Sequence, residues 1–255
     1  YSERLVEFPL GVFVIALSTV ILPSLSRSHA NSSDREFSQT LDWGLRWVLL
    51  IAIPSCVGLF LLARPIIATL FQYGDFGAGD VDMAGLSLMA YACGLPGFML
   101  IKVLAPAFYS RKDTRTPVRI AVVALLTNMI LNLVFVIPMV RLDIPGPHAG
   151  LALATSIAAW VNAGLLYASL RRQQVYQPQA GWRRLFLQML LAGGALGLLL
   201  LAAAPDTAEW LAGSAGRRVI DLLVWVLAGA AVYLLVLRVS GVRLSSLWQR
   251  DSGPG

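Results

Sequence analysis

Seven stretches of the chain run apolar for about twenty residues each, roughly 5–26, 43–63, 83–107, 117–140, 149–170, 185–204 and 219–238, and about twenty helical residues cross the hydrocarbon of a bilayer. The polar residues gather in the short connections between them. Segments of about ten residues with strict alternation, the mark of a transmembrane barrel strand, do not occur. The pattern therefore predicts an all-α, polytopic membrane bundle of seven helices, with its two ends on opposite sides of the membrane. Helix breakers recur inside the spans: Pro9 and Pro23 in the first, Pro54 in the second, Pro96 beside Gly94 and Gly97 in the third, Pro138 in the fourth. A proline removes a backbone donor and frees a carbonyl, which in lipid must find a partner on a neighbouring helix. The last two spans are rich in Leu, Ala and Gly, with Gln188 as their polar exception, and read as peripheral additions to a five-helix core. The expected division is 1–172 for the five-helix core and 173–250 for the two added helices with a tail; DSGPG at 251–255 reads as an appended end.

Composition agrees with this division of labour. Of 255 residues, 57% are hydrophobic and 13% charged, too little polar surface to wrap a water-soluble globule of this size. The net charge of +6 suggests nucleic acid, yet the basic residues form no continuous stripe and nucleic acid is excluded as a partner. They sort by side instead. Arg27, Arg35, Arg46, Arg111, Lys112, Arg115, Arg119, Arg171, Arg172, Arg183, Arg184, Arg238, Arg243 and Arg250 fall on one side, and Arg4, Arg64, Arg141, Arg217 and Arg218 on the other. The positive-inside rule makes the richer side cytoplasmic, the C-terminus with it, and starts the first helix outside. A first helix entering from outside without a signal implies further membrane helices upstream. Trp43, Trp47, Trp182, Trp210 and Trp248 near span ends read as interfacial aromatics, and Cys56 and Cys93 as small, unpaired core residues.

Candidate chemistry is sparse. Arg4, Glu7, Gly11 and Ser18 share one face of the first helix, predicted to look inward. An arginine within a span costs about 3 kcal/mol on insertion scales and commonly lines a hydrated cavity; its planar fork suits a phosphate. The alternative is that Arg4 snorkels to the interface, paired with Glu3 or Glu7. Lys102 carries the same two readings. Asn128 and Asn132 at i and i+4, with Thr155 on the next helix, either coordinate a monovalent cation or, the favoured reading without a carboxylate, hydrogen-bond between helices. His29 and His148 are too far apart to share a metal, and no HExxH, GxSxG, phosphate-loop or paired-carboxylate motif is present. No catalytic residue, resident metal or other cofactor is expected, and no enzyme is visible in these motifs.

Three stretches together resemble a known family: RLVEFPLGVFVIALSTVILPSLSR at 4–27, LFQYGDF at 70–76 and KVLAPAFYSRKDTRTPVRIA at 102–121. They are similar to the C-terminal half of the MurJ (MviN) lipid II flippases, within the multidrug/oligosaccharidyl-lipid/polysaccharide exporter superfamily. The resemblance implies helices eight to fourteen of a two-lobed, fourteen-helix transporter in a bacterial inner membrane. Its partners would be lipid II, membrane lipids and the N-terminal half of the same transporter. It implies that Arg4 belongs to an arginine set holding the lipid II pyrophosphate, with Glu7 of the EFP motif orienting it; Lys102, from its place within a span, stays a candidate substrate contact beside the favoured snorkelling reading. It also implies an apolar groove on the last two spans for the undecaprenyl tail, and in some members coupling to sodium or to the membrane potential. Other readings are an exporter of polysaccharide-linked lipids or drugs, a polyprenyl-phosphate transferase, and a membrane subunit that transports nothing.

Overall fold

The computed structural model describes residues 2–11, 15–30, 33–73, 76–141, 147–205 and 207–242, and among them there is no β-strand. The helices are α1 (Ser2–Pro9), α2 (Ile15–Ala30), α3 (Asp34–Leu61), α4 (Ala63–Phe71), α5 (Ala78–Tyr109), α6 (Arg115–Arg141), α7 (Pro147–Arg172), α8 (Trp182–Ala203), α9 (Thr207–Ala212) and α10 (Ala215–Val239). Six of these, α3, α5, α6, α7, α8 and α10, are long and apolar enough to cross a bilayer. Each coincides with a predicted span. The first predicted span corresponds to α1 and α2, on either side of residues 12–14, which lie outside the described residues; after Pro9 the helix widens into a π-type turn at Leu10 and Gly11. Residues 243–255, and with them Arg243, Trp248 and Arg250, also lie outside.

Hydropathy alone starts the second span at 43, but α3 begins at Asp34. The reason is local: the Ser33 hydroxyl accepts the Glu36 N–H at 3.4 Å, a helix start signal that lets three amphipathic turns precede the apolar run. Phe37, Leu41, Leu45 and Val48 then bury one face of it. The sequence also hides α4 inside what reads as a loop. It continues α3 after a break at Leu62, and its Arg64 Nε lies 2.8 Å from Asp82 near the start of α5.

Helix α5 is the axis of the bundle, packed against α1, α2, α3, α4 and α7. Its approach to α7 is set by small residues. A Cβ on Gly94 would meet the Ser156 hydroxyl and would stand 2.7 Å from the Ser156 Cα, and one on Gly97 would stand 3.1 Å from the Ala159 backbone. Close approach of this kind is how helices associate where lipid removes the hydrophobic drive. Polar bonds then lock it: Ser156 donates to the Ala90 carbonyl at 2.7 Å and the Trp160 indole to the Cys93 carbonyl at 2.9 Å. Pro96 removes the helical donor of the Ala92 carbonyl, one residue before the Cys93 carbonyl that Trp160 serves. Cys93 itself is exposed and Cys56 half-buried, both free thiols, so the core position expected for Cys93 is not where it sits.

The proline in α3 is served in the same way. Pro54 leaves the carbonyl four residues earlier, that of Leu50, without its helical donor, and the Tyr233 hydroxyl of α10 donates to it at 3.0 Å. Both residues are buried. Gln188, the polar exception in α8, donates to the Ser240 carbonyl at the end of α10 at 2.6 Å. Exposure does not follow the expected split into core and periphery: α6 leans mainly on α7 and exposes Val122, Leu126, Met129 and Leu133, whereas α8 packs on both α3 and α10.

Two stability predictions follow from these contacts. Tyr233→Phe should cost about 1–3 kcal/mol by orphaning a buried carbonyl, read as a lowered Tm in detergent. The cost should shrink in a Pro54→Ala background, where the restored N–H serves Leu50. Gly94→Ala should destabilise by about 1–3 kcal/mol through overpacking, measured in the same melt, whereas Gly58→Ala, with open space around its Cβ, should not.

Candidate functional site

Helix α1 lies on the N-terminal half of α5. The Ser2 hydroxyl donates to the Ala84 carbonyl at 2.9 Å, and Ser2 and Val6, at i and i+4, form its buried face. Helical geometry places Arg4 and Glu7 on the opposite side, and Glu3, Arg4, Glu7 and Phe8 are all exposed. The face predicted to look inward therefore points away from the α5 core of this chain. Among the described residues Arg4 and Glu7 form no ion pair with each other. A guanidinium held on a helix whose other face is anchored, and not consumed by a carboxylate, is available to an anion approaching from that side. Gly11 is described but the Ser18 side chain is not.

Lys102 is exposed on α5. It lies eighteen residues beyond Ala84, which at 1.5 Å per residue is about 27 Å farther along the helix. The two cations therefore stand at opposite ends of the bundle, and the fold does not bring Lys102 to Arg4.

Asn128, Asn132 and Thr155 do come together. Asn132 donates to the Asn128 side-chain carbonyl at 3.0 Å, Asn128 to the Thr155 hydroxyl at 3.1 Å, and Thr155 to the Leu151 carbonyl at 3.0 Å. This chain ties α6 to α7. Within it the Asn132 Oδ1, buried, has no hydrogen-bond partner among the described residues. No cluster of three or more His, Cys, Asp or Glu that suits a metal occurs among the described residues.

The residue that sequence reasoning missed is Asp42, on α3 and 2% exposed. Its Oδ1 accepts the Tyr176 hydroxyl at 2.7 Å, the Trp182 indole at 2.6 Å and the Gln179 amide at 3.1 Å; its Oδ2 accepts Arg46 Nε at 2.7 Å. Arg46 also donates to the Ala180 carbonyl at 2.9 Å and stands over the Trp182 ring, 5.3 Å from its centroid. Ser38, one turn earlier, exchanges bonds with the Gln177 amide and carbonyl. The connection from α7 to α8 is thus stapled onto α3. Burial first, and then the Asp42 carboxylate, push the Tyr176 phenol well above its usual range, so it remains a donor. The available signal was D-x-x-x-R on one helix face, which reads as an ordinary surface pair.

Trp182 thus serves the staple. Trp210 corrects the interfacial reading: it is 3% exposed, because its indole reaches the Thr69 hydroxyl of α4 at 3.0 Å. The turn within the 102–121 motif has its own logic. Lys112 adopts φ 61°, Asp113 receives the Thr116 amide at 3.0 Å to start α6, and Arg111 Nη1 donates to Gln173 at 2.9 Å. Hydrogen bonds from Thr116 hold the Asp113 carboxyl below its ordinary range. The Arg111–Gln173 bond puts the ends of α5 and α7 on one side, as the charge sorting requires. On the other side Arg218 spans Gln72, Leu211 and Gly213.

A cavity of about 610 Å³ opens between α3, α5, α7 and α8. This is a different place from the groove expected on the last two spans, since α8 lines the cavity and no residue of α10 does.

Asp42→Ala should strand the donors of Tyr176, Trp182, Gln179 and Arg46 and cost about 3–5 kcal/mol. Its direct readout is trypsin cleavage at Arg183 and Arg184, which should become several-fold faster than in the parent.

Comparison with known proteins agrees with this arrangement. The family model described as "Lipid II flippase MurJ" matches residues 1–220. A probable lipid II flippase MurJ of Vibrio cholerae is 43% identical over 97% of this chain and 46% of its own length, and that of Haemophilus influenzae 41% identical over 98% and 49%. A lipid II flippase MurJ of Burkholderia cenocepacia is 45% identical over 77% of this chain and 36% of its own. A solved lipid II flippase MurJ in an inward closed conformation superposes with a TM-score of 0.74 at 28% identity, covering 94% of this chain and 45% of that one. The chain spans about half the length of these relatives. It is a multi-pass membrane protein and belongs to the MurJ lipid II flippase family.

Proposed function

We propose that this chain is the C-terminal lobe of a transporter that moves lipid II from the cytoplasmic to the periplasmic leaflet of a bacterial inner membrane. The observation that carries the proposal is the placement of Arg4: exposed on α1, opposite the Ser2–Val6 face that anchors the helix to α5. In this reading the Arg4 face looks onto an N-terminal lobe across a hydrated vestibule. There the guanidinium neutralises the pyrophosphate of the headgroup, and Glu7, one turn on, helps orient it. A bare diphosphate does not cross hydrocarbon, so counter-charge in a wet cavity is the whole task and no covalent chemistry is needed. The lobes rock between inward-open and outward-open states while the prenyl tail stays in lipid.

Lys102, about 27 Å away along α5, is proposed as a cation met by the headgroup at the cytoplasmic end. The loop arginines support an orientation with the C-terminus in the cytoplasm. The Asn128–Asn132–Thr155 chain fastens α6 to α7, and no ion is routed through it.

The test is complementation of a strain depleted of its native flippase with the full-length protein containing this chain. Arg4→Ala and Arg4→Lys should both abolish the appearance of lipid II at the outer face, since Lys lacks the bidentate fork. Full activity in Arg4→Ala would refute the assignment, and rescue by Lys would reduce Arg4 to a point charge.

A further inference from the structure

The 610 Å³ groove is lined by Leu49 of α3, Leu104 of α5, Trp160 and Tyr167 of α7, Phe186 of α8 and, as the sole charged group among the described lining residues, Arg183. Trp160 and Tyr167 are seven residues apart, so the groove runs about 10 Å along α7. Between them lies Gly164, around whose Cβ position nothing stands within 4 Å. That sets it apart from Gly94 and Gly97, which neighbouring atoms of α7 crowd. Glycine weakens a helix interior relative to alanine, and no protein atom packs where its side chain would be; the missing side chain leaves room for something else.

The polar end of the groove is built by the staple. Tyr176 and Trp182 line it while turning their donors to Asp42, so the acid is hidden behind their rings and the groove presents no negative charge. Arg183 is exposed, as are Arg184, Arg171 and Arg172 at the same end of the bundle. An apolar trough of this depth with guanidinium at one end complements an amphiphile with a single chain inside and an anion outside. We propose that the groove seats one acyl chain of an anionic phospholipid from the leaflet at this end, with the phosphate on Arg183 and Asp42 positioning the wall.

The test uses the full-length protein containing this chain, in phosphatidylcholine vesicles with a small fraction of phosphatidylglycerol carrying a diazirine midway along one acyl chain. After illumination, adducts are mapped by peptide mass spectrometry. Adducts should concentrate on the α7 segment Trp160–Tyr167 and around Phe186, and unlabelled phosphatidylglycerol should reduce them several-fold where phosphatidylcholine does not. Gly164→Leu, which fills the open space, should lower these adducts several-fold and leave those on the α6 face at Val122 and Leu126 unchanged. Arg183→Gln, an exposed substitution that leaves the packing alone, should erase the preference for phosphatidylglycerol. Labelling equally dense on α6 and in the groove, or unaffected by either substitution, overturns the proposal. Competition by undecaprenyl phosphate but not by phosphatidylglycerol overturns it in favour of a prenyl chain.

Discussion

The carbonyl of Leu50 has lost its helical donor to Pro54, and it sits where no water can replace it. A hydroxyl on α10 does so. The same constraint recurs through the bundle. Hydrocarbon supplies no hydrogen bonds, so polar groups buried in the bundle are answered from elsewhere in the protein. Asp42 is answered by the α7–α8 connection, the Cys93 carbonyl of α5 by Trp160, and Gln188 by the end of α10. These bonds also decide which helices touch, because each joins elements that are distant along the chain. The added pair α8 and α10 is held to α3 by two of them and by apolar packing of Leu50 and Ile53 with Leu185, Met189 and Leu237.

Around that framework the fold divides its surface by chemistry. One face of α1 is spent on anchoring and the other is left charged, with Glu3, Arg4 and Glu7 exposed. The apolar surface of α6 is the reverse case: a nearly continuous hydrophobic face suited to acyl chains or to another apolar helix.

How much of this could be read from residues alone varies with the kind of interaction. The apolar blocks gave all six continuous spans to within a few residues at most ends, because a hydrophobic stretch is a property of consecutive positions. The start of α3 was missed by nine residues, because a capping serine and amphipathic turns carry little hydropathy. The interhelical bonding of Asn128, Asn132 and Thr155 was legible from spacing and from the absence of a carboxylate. Trp210 was misread, since an indole near a span end looks the same whether it faces headgroups or a threonine on α4. Asp42 was invisible, as its partners Tyr176, Gln179 and Trp182 lie more than 130 residues away.

By itself, then, the sequence determined that this is a membrane bundle, where its helices run, which connections share a side, and which family it resembles. Each of these depends on local hydropathy, on charge counted loop by loop, or on contiguous motifs. The tertiary structure alone decided that Arg4 faces away from α5, that a proline on α3 is served by a tyrosine on α10, and that a glycine on α7 lines a groove with arginine at its end. Those outcomes depend on the rotation of each helix about its axis and on the depth at which it meets its neighbours, which packing fixes and no single segment encodes.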